Sequence, residues 1–179
     1  MKKHFFNLPY MAAAAMMVFI LSGCEKILPD NIPFDIERKI TFNLQAAPPV
    51  GSVTLSDLAM SIDLDSALTA QGVDNYSISS IKPGKVTLET ITDSTNLDAL
   101  DSVAVFVTSS SLAETRIAHK YGIPKNIMQL PLEVSDVNVA EYLKARPTNF
   151  KVQAYIGDTI RKPMTMTMNV VFNVIAQKK

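Results

Sequence analysis

From residue 36 onward, apolar side chains recur at every second position. Ile40, Phe42 and Leu44 alternate with Lys39, Thr41, Asn43 and Gln45. Met60, Ile62 and Leu64 repeat the pattern, as do Val86 with Leu88, then Val103, Val105 and Val107. Met128, Leu130, Leu132 and Val134 follow, and then Phe150, Val152, Ala154 and Ile156. A period of two places one face of an extended strand in a core and the other in water. The last stretch is the longest, with Met164, Met166, Met168, Val170, Phe172 and Val174 on one side. Its opposite side begins Thr165, Thr167, Asn169 but then turns apolar at Val171 and Ile175, which predicts that its second half is covered on both faces.

Turn signals separate these runs at Pro48-Pro49-Val50-Gly51, Gly72, Pro83-Gly84, Ser109-Ser110-Ser111, Gly122-Ile123-Pro124 and Gly157-Asp158. Short strands at this spacing predict an all-β fold, an antiparallel, immunoglobulin-like β-sandwich over 36–179. Two or three short helices are expected in the connections. One runs from Ser66 to Gln71, one from Asn96 to Leu100 after Ser94-Thr95, and one from Val137 to Lys144 after Asp136, with Val139, Tyr142 and Leu143 as its buried stripe. Pro131 marks its strand as an edge or as bulged.

The first residues have a different character. Met1-Lys2-Lys3-His4 is positive, and Met11 to Leu21 is unbroken apolar sequence. That run is too short for a membrane-spanning helix of roughly 20 residues, but it fits a secretory signal. It ends in Leu21-Ser22-Gly23-Cys24, and Cys24 is the chain's only cysteine. This tetrapeptide resembles the lipobox of bacterial lipoproteins. The resemblance implies a signal peptide over 1–23, cleavage between Gly23 and Cys24, and thioether lipidation of Cys24 followed by N-acylation. Several acyl chains, each buried methylene contributing about 0.8 kcal/mol, would anchor the chain stably in a membrane. Glu25 stands where an Asp would signal inner-membrane retention in proteobacterial lipoproteins. The expected location is therefore the periplasmic face of the outer membrane, with the cell surface as the alternative. Residues 24–35, with Pro29 and Pro33 and no period, are expected to form the lipidated start and a short tether.

Charge and composition narrow the function. The full chain has 17 basic and 17 acidic residues, and removal of Lys2 and Lys3 leaves a net charge of −2. That balance does not fit a nucleic-acid binder. His4 falls in the signal segment, so His119 is the one histidine left to serve a catalytic set, and no Gly-x-Ser-x-Gly elbow is present. Neither a cofactor nor a metal site is expected. Asp93, Asp98 and Asp101 cluster without EF-hand spacing, and caps and solvated loops explain them better than calcium. Met164, Met166 and Met168 are read first as core and second as the wall of a groove for a lipid or as thioether ligands.

Four tripeptides, Asp65-Ser66-Ala67, Asp93-Ser94-Thr95, Asp101-Ser102-Val103 and Asp158-Thr159-Ile160, resemble the O-glycosylation motif of Bacteroidetes secreted proteins. The resemblance makes Ser66, Ser94, Ser102 and Thr159 candidate acceptors. Ser80-Ile81-Lys82-Pro83, the stretch Asn96 to Val103 and Val137 to Leu143 give the mature chain a similarity to small Bacteroidetes lipoproteins with β-sandwich domains. That similarity implies a fold and transfers no activity.

The expected function is a membrane-anchored, non-enzymatic module that binds an envelope protein or glycan. A periplasmic carrier of lipid or another hydrophobe is the alternative. A hydrolase built on two carboxylates is a third reading, which needs paired acids in a cleft.

Overall fold

The structure is a computed structural model and describes residues 29–92, 95–145 and 147–179. The compact unit spans Asn31–Lys179. Its elements are β1 (Asn31–Leu44), β2 (Gly51–Met60), α1 (Leu64–Ala70), β3 (Tyr76–Thr90), β4 (Leu100–Ser109), β5 (Thr115–Tyr121), β6 (Gln129–Val134), α2 (Ala140–Lys144), β7 (Thr148–Ile156) and β8 (Met164–Lys178).

The fold is all-β. Eight antiparallel strands form one curled sheet in the order β1-β8-β3-β6-β5-β4-β7-β2. The pairings nest: β1 with β8, β2 with β7, β3 with β6 and β4 with β5. The chain therefore runs out through four strands and returns along itself through the next four. β6 is the joint. Gln129 to Leu132 pair with β3, while Glu133 and Val134 pair with β5. Pro131 lies opposite Thr87 in the part of β6 that has β3 alone as its partner, so the missing N–H costs no second ladder.

The alternation read from the sequence sorts the faces of most strands, but not everywhere: β2 ends at Met60 and Leu64 opens α1, so Met60, Ile62 and Leu64 are not one strand face, and Met128 and Val134 are exposed. On β4, Val103, Val105 and Val107 are buried; on β7, Phe150, Val152, Ala154 and Ile156 are buried. On β8, Met164, Met166, Met168, Val170, Phe172, Val174 and Ala176 all point into the core. Met166 and Met168 are fully buried, so this methionine face is packed interior rather than the wall of a groove.

Both helices lie in connections at one end of the sheet. Asp63 caps α1 by accepting from the Ser66 amide at 3.1 Å. α1 closes when Gly72, at φ 67°, donates to the Thr69 carbonyl and Val73 to that of Leu68, a paired C-terminal cap open to a left-handed residue. Asn138 leads into α2. Its Oδ1 accepts from the amides of Ile81 and Ala140, at 3.0 and 3.1 Å, which fastens the helix to β3.

The other end gathers four loops, following β1, β3, β5 and β7. They are hydrogen-bonded to one another. The Ala47 amide donates to the Ile160 carbonyl at 2.8 Å and Leu97 to Ile127 at 2.9 Å, while Thr165, at the start of β8, donates to the Thr92 hydroxyl at 2.7 Å.

Several expectations are corrected. In an immunoglobulin domain the first two strands pair side by side; here β1 and β2 sit at opposite ends of the sheet. Residues 31–35, expected in the tether, belong to β1, and Pro33 is tolerated because β1 is an edge strand with β8 on one side only. Pro83-Gly84 does not turn the chain. β3 runs straight through it with a register shift between Pro83 and Lys85, and a Cβ at Gly84 would overlap the Asn173 amide. Asn96 to Leu100 forms no helix, because Leu100 already pairs with Ile156 as the start of β4. α2 begins at Ala140, later than expected, and Asp136 instead pairs with Lys82 at 2.6 Å. The second half of β8 is not covered on both faces, since Ile175 is 41% exposed.

Candidate binding face

β4 lies between β5 and β7, and its outward side chains are small at one end. Ser102 and Ala104 alternate with the buried Val103 and Val105. The antiparallel register places large residues beside these small ones. Ser102 stands opposite Tyr121 of β5 on one side and Tyr155 of β7 on the other. Ala104 stands between His119 and Gln153, and Phe106 between Arg116 and Lys151. β2 extends these rows with Ser52 beside Tyr155, Thr54 beside Gln153 and Asp57 beside Lys151. By side-chain size, Ser102 and Ala104 form a low strip between larger neighbours, a shallow trough flanked by two tyrosines.

Both tyrosines are exposed, Tyr121 at 61% and Tyr155 at 48%. Tyr121 is held in place. Its ring and that of His119 meet edge to face with centroids 5.1 Å apart, and its hydroxyl accepts from Arg116 at 2.9 Å. Among the described residues, Tyr155, Ser102, Gln153, Thr54 and Ser52 have side chains with no hydrogen-bond partner, so their polar atoms face solvent unpaired. The far end of the trough is closed by ions. Lys151 pairs with Glu114 and lies over the Phe106 ring, 5.3 Å from its centroid. Next to His119, Glu133 pairs with Lys120 at 2.8 Å and approaches His119 Nε2 at 3.8 Å. The hydrogen bond from Lys120 and its charge, with a smaller contribution from His119, hold the Glu133 carboxyl below the usual glutamate range.

A second concavity lies in the loops. Thr95, Asn96, Asp98, Asp158, Thr159 and Arg161 help line a pocket of about 390 Å³ between the β3–β4 and β7–β8 connections. Asp98 is already engaged there. Its carboxylate accepts from the Asn126 amide, at a residue with φ 61°, and its carbonyl accepts from Lys125 Nζ at 2.6 Å. Of the acidic cluster read from the sequence, Asp98 thus ties two loops together.

The expected sites fall in different places. Gly23, Cys24 and Ser94 lie outside the described residues, as does Asp93. Ser66 sits in the first turn of α1, where its hydroxyl donates to Asp63 at 2.7 Å. Thr159 is on the exposed β7–β8 loop, lining the pocket there. Ser102 lies within β4, on the floor of the trough. Among the described residues, no group of three or more His, Cys, Asp and Glu side chains converges on a point, and no helix is long and apolar enough to cross a membrane.

The tyrosine pair is not legible in the sequence alone. The signal for each member was present, because Tyr155 alternates with buried Ala154 and Ile156, and Tyr121 ends the run that carries His119. Their placement on either side of one strand depends on strand order.

No protein-family model matches the chain, and no curated protein matches it. Several solved structures show a distant likeness, two of them as follows. The decameric BFDV capsid protein has a TM-score of 0.44 at 10% identity, covering 83% of this chain and 99% of its own. The structure of Tomato Aspermy Virus has a TM-score of 0.24 at 8% identity, covering 95% of each chain. Likeness at this level carries neither fold nor function to this chain.

Proposed function

We propose that this chain is a lipid-anchored envelope protein whose folded domain is a non-enzymatic binding module. The observation behind the binding reading is the open trough of β5, β4 and β7, where two exposed tyrosines flank polar groups with no internal partner. Tyrosine, with an apolar ring and a polar tip, is enriched at interfaces. The anchor rests on Leu21-Ser22-Gly23-Cys24 at the end of a positive start and an apolar run. Diacylglycerol on Cys24, with an N-acyl chain, would hold the module on the outer membrane, facing the periplasm, with the cell surface as the second location.

We read the curled sheet as a two-layered sandwich of the jelly-roll kind, in which the chain doubles back on itself. Nested strand pairing supports this, as does the contact between Phe150 and Phe172 from distant parts of the sheet. A hydrophobe carrier is less well supported, because Met166 and Met168 are buried in the packed interior.

Intact mass spectrometry of the detergent-extracted chain tests the anchor. The expected species begins at Cys24 and carries a diacylglycerol and an additional acyl group, and Cys24→Ser abolishes it. A secreted, unmodified chain would overturn the anchored reading. In-cell crosslinking from a photoreactive residue at Gln153 tests the binding reading. An adduct that depends on Tyr155 is expected, and absence of any adduct would refute it.

A further inference from the structure

We infer that the trough binds an extended, uncharged glycan chain lying across β5, β4 and β7, with sugar rings stacked on Tyr121 and Tyr155. This deepens the binding reading above and rests on it.

Spacing comes first. Tyr121 and Tyr155 flank Ser102 with one strand between them, so their backbones are two strand spacings apart, about 10 Å. That span matches every second ring of an extended pyranose chain running perpendicular to the strands, with the intervening ring over Ser102. Ser102 and Ala104 keep the floor between the tyrosines low, where larger residues would block the chain.

The chemistry of the surface agrees. A pyranose offers a flat C–H face to an aromatic ring and a rim of hydroxyls to polar side chains. Here the rings are accompanied by the hydroxyls of Ser102, Ser52 and Thr54 and the amide of Gln153, all unpartnered among the described residues. These groups both donate and accept, as a sugar hydroxyl requires. Tyr121 is preset by His119 and Arg116, so little side-chain freedom is lost when a ring stacks on it.

The electrostatics select an uncharged chain. Each cation bordering the trough already faces a group of its own. Lys151 is paired with Glu114, Lys120 with Glu133, and Arg116 donates to the Tyr121 hydroxyl. A polyanionic glycan would have to break the two lysine pairs or rely on Arg116 alone, whose partner is a neutral hydroxyl. A protein partner of ordinary size would need an apolar centre, and this face has small and polar residues at its centre instead.

The test uses the full detergent-solubilised chain and a panel of hexasaccharides: cellohexaose, mannohexaose, xylohexaose and chitohexaose as extended chains, and maltohexaose as a coiled one. Tyrosine fluorescence is the direct readout, since the chain has no tryptophan. At least one extended hexasaccharide is expected to bind with a Kd of about 1 mM or tighter, and maltohexaose more weakly. Tyr121→Ala and Tyr155→Ala should each weaken binding tenfold or more, while circular dichroism and the melting temperature stay near those of the parent. Gln153→Ala should weaken it less. No binding by any extended member at millimolar concentration would overturn the proposal, as would binding indifferent to both tyrosine variants. Because Cys24→Ser removes the anchor without touching the trough, loss of lipidation and loss of glycan binding are separately visible. A Gln153 crosslink to a protein in cells, together with a silent glycan panel, would retain the binding module and reject the glycan.

Discussion

The rings of Phe150 on β7 and Phe172 on β8 meet edge to face, with centroids 6.0 Å apart and planes inclined by 60°. Their strands stand second and seventh in the order of the sheet. The contact therefore does not run along the sheet but crosses the space that the curl encloses. Both residues are almost completely buried, and the pair joins the two halves of the core.

Phe172→Ala should remove this contact and leave a cavity that neither half can fill. The expected loss is about 3–5 kcal/mol of unfolding free energy, read from urea or guanidinium denaturation. Phe172→Leu should cost clearly less, because it retains most of the volume. A loss for the alanine variant below about 1 kcal/mol would mean that the core is not closed by this pair.

On β8, the inward and outward positions should differ sharply in sensitivity. Met168→Ala, at a fully buried site, should cost about 2–5 kcal/mol. Ile175→Ala lies on the opposite, exposed face and should stay within about 0.5 kcal/mol of the parent. Thermal melts of both variants check the assignment of the two faces. Equal losses would contradict it.

Asn138 holds two part-buried backbone amides with a single oxygen. Asn138→Ala should cost about 1–3 kcal/mol, because the Ile81 amide loses its acceptor where water does not readily replace it. Asn138→Asp retains an acceptor in the same place and should recover most of the loss. Denaturation of both variants decides the point, and an equal loss in both would place the effect in packing.

Glu133 titrates below the usual glutamate range, chiefly because Lys120 hydrogen-bonds its carboxylate, then through the charges of Lys120 and His119. A lowered folded-state pKa stabilises the fold at pH values above the ordinary glutamate pKa. That contribution disappears as the pH falls through the depressed value. Side-chain carboxyl shifts followed by NMR should place the Glu133 midpoint below that of a free glutamate. Lys120→Met should move the midpoint upward, leaving only the weaker attraction of His119 at 3.8 Å. Glu133 is exposed, so the accompanying change in stability should be slight. An unmoved midpoint in Lys120→Met would show that another group sets it.

The strand content and the inward face of each strand follow from local pattern. Side chains of an extended chain alternate strictly, so Val103, Val105 and Val107, or Met164, Met166 and Met168, declare their side without reference to any neighbour. A cap is equally local: Asp63 and Gly72 bracket α1 within a few residues of sequence. The proline signals were ambiguous for the opposite reason. Pro33 and Pro83-Gly84 were expected outside strands, yet β1 has an open edge and β3 a register shift that admit them. Those allowances come from neighbours. Ile175 shows the same limit, since an apolar residue on an outer face is not evidence that anything covers it.

Strand order is what the sequence by itself left open. Pairing β1 with β8 joins residues more than a hundred positions apart, and no local preference encodes such a closure. The composition of each strand permits both the immunoglobulin order and the nested one. The choice is made when all inward faces must be buried together in one core. The tyrosine trough is a product of that choice. Tyr121 and Tyr155 belong to strands separated by β6, α2 and their loops, and they flank Ser102 only because β4 comes to lie between β5 and β7.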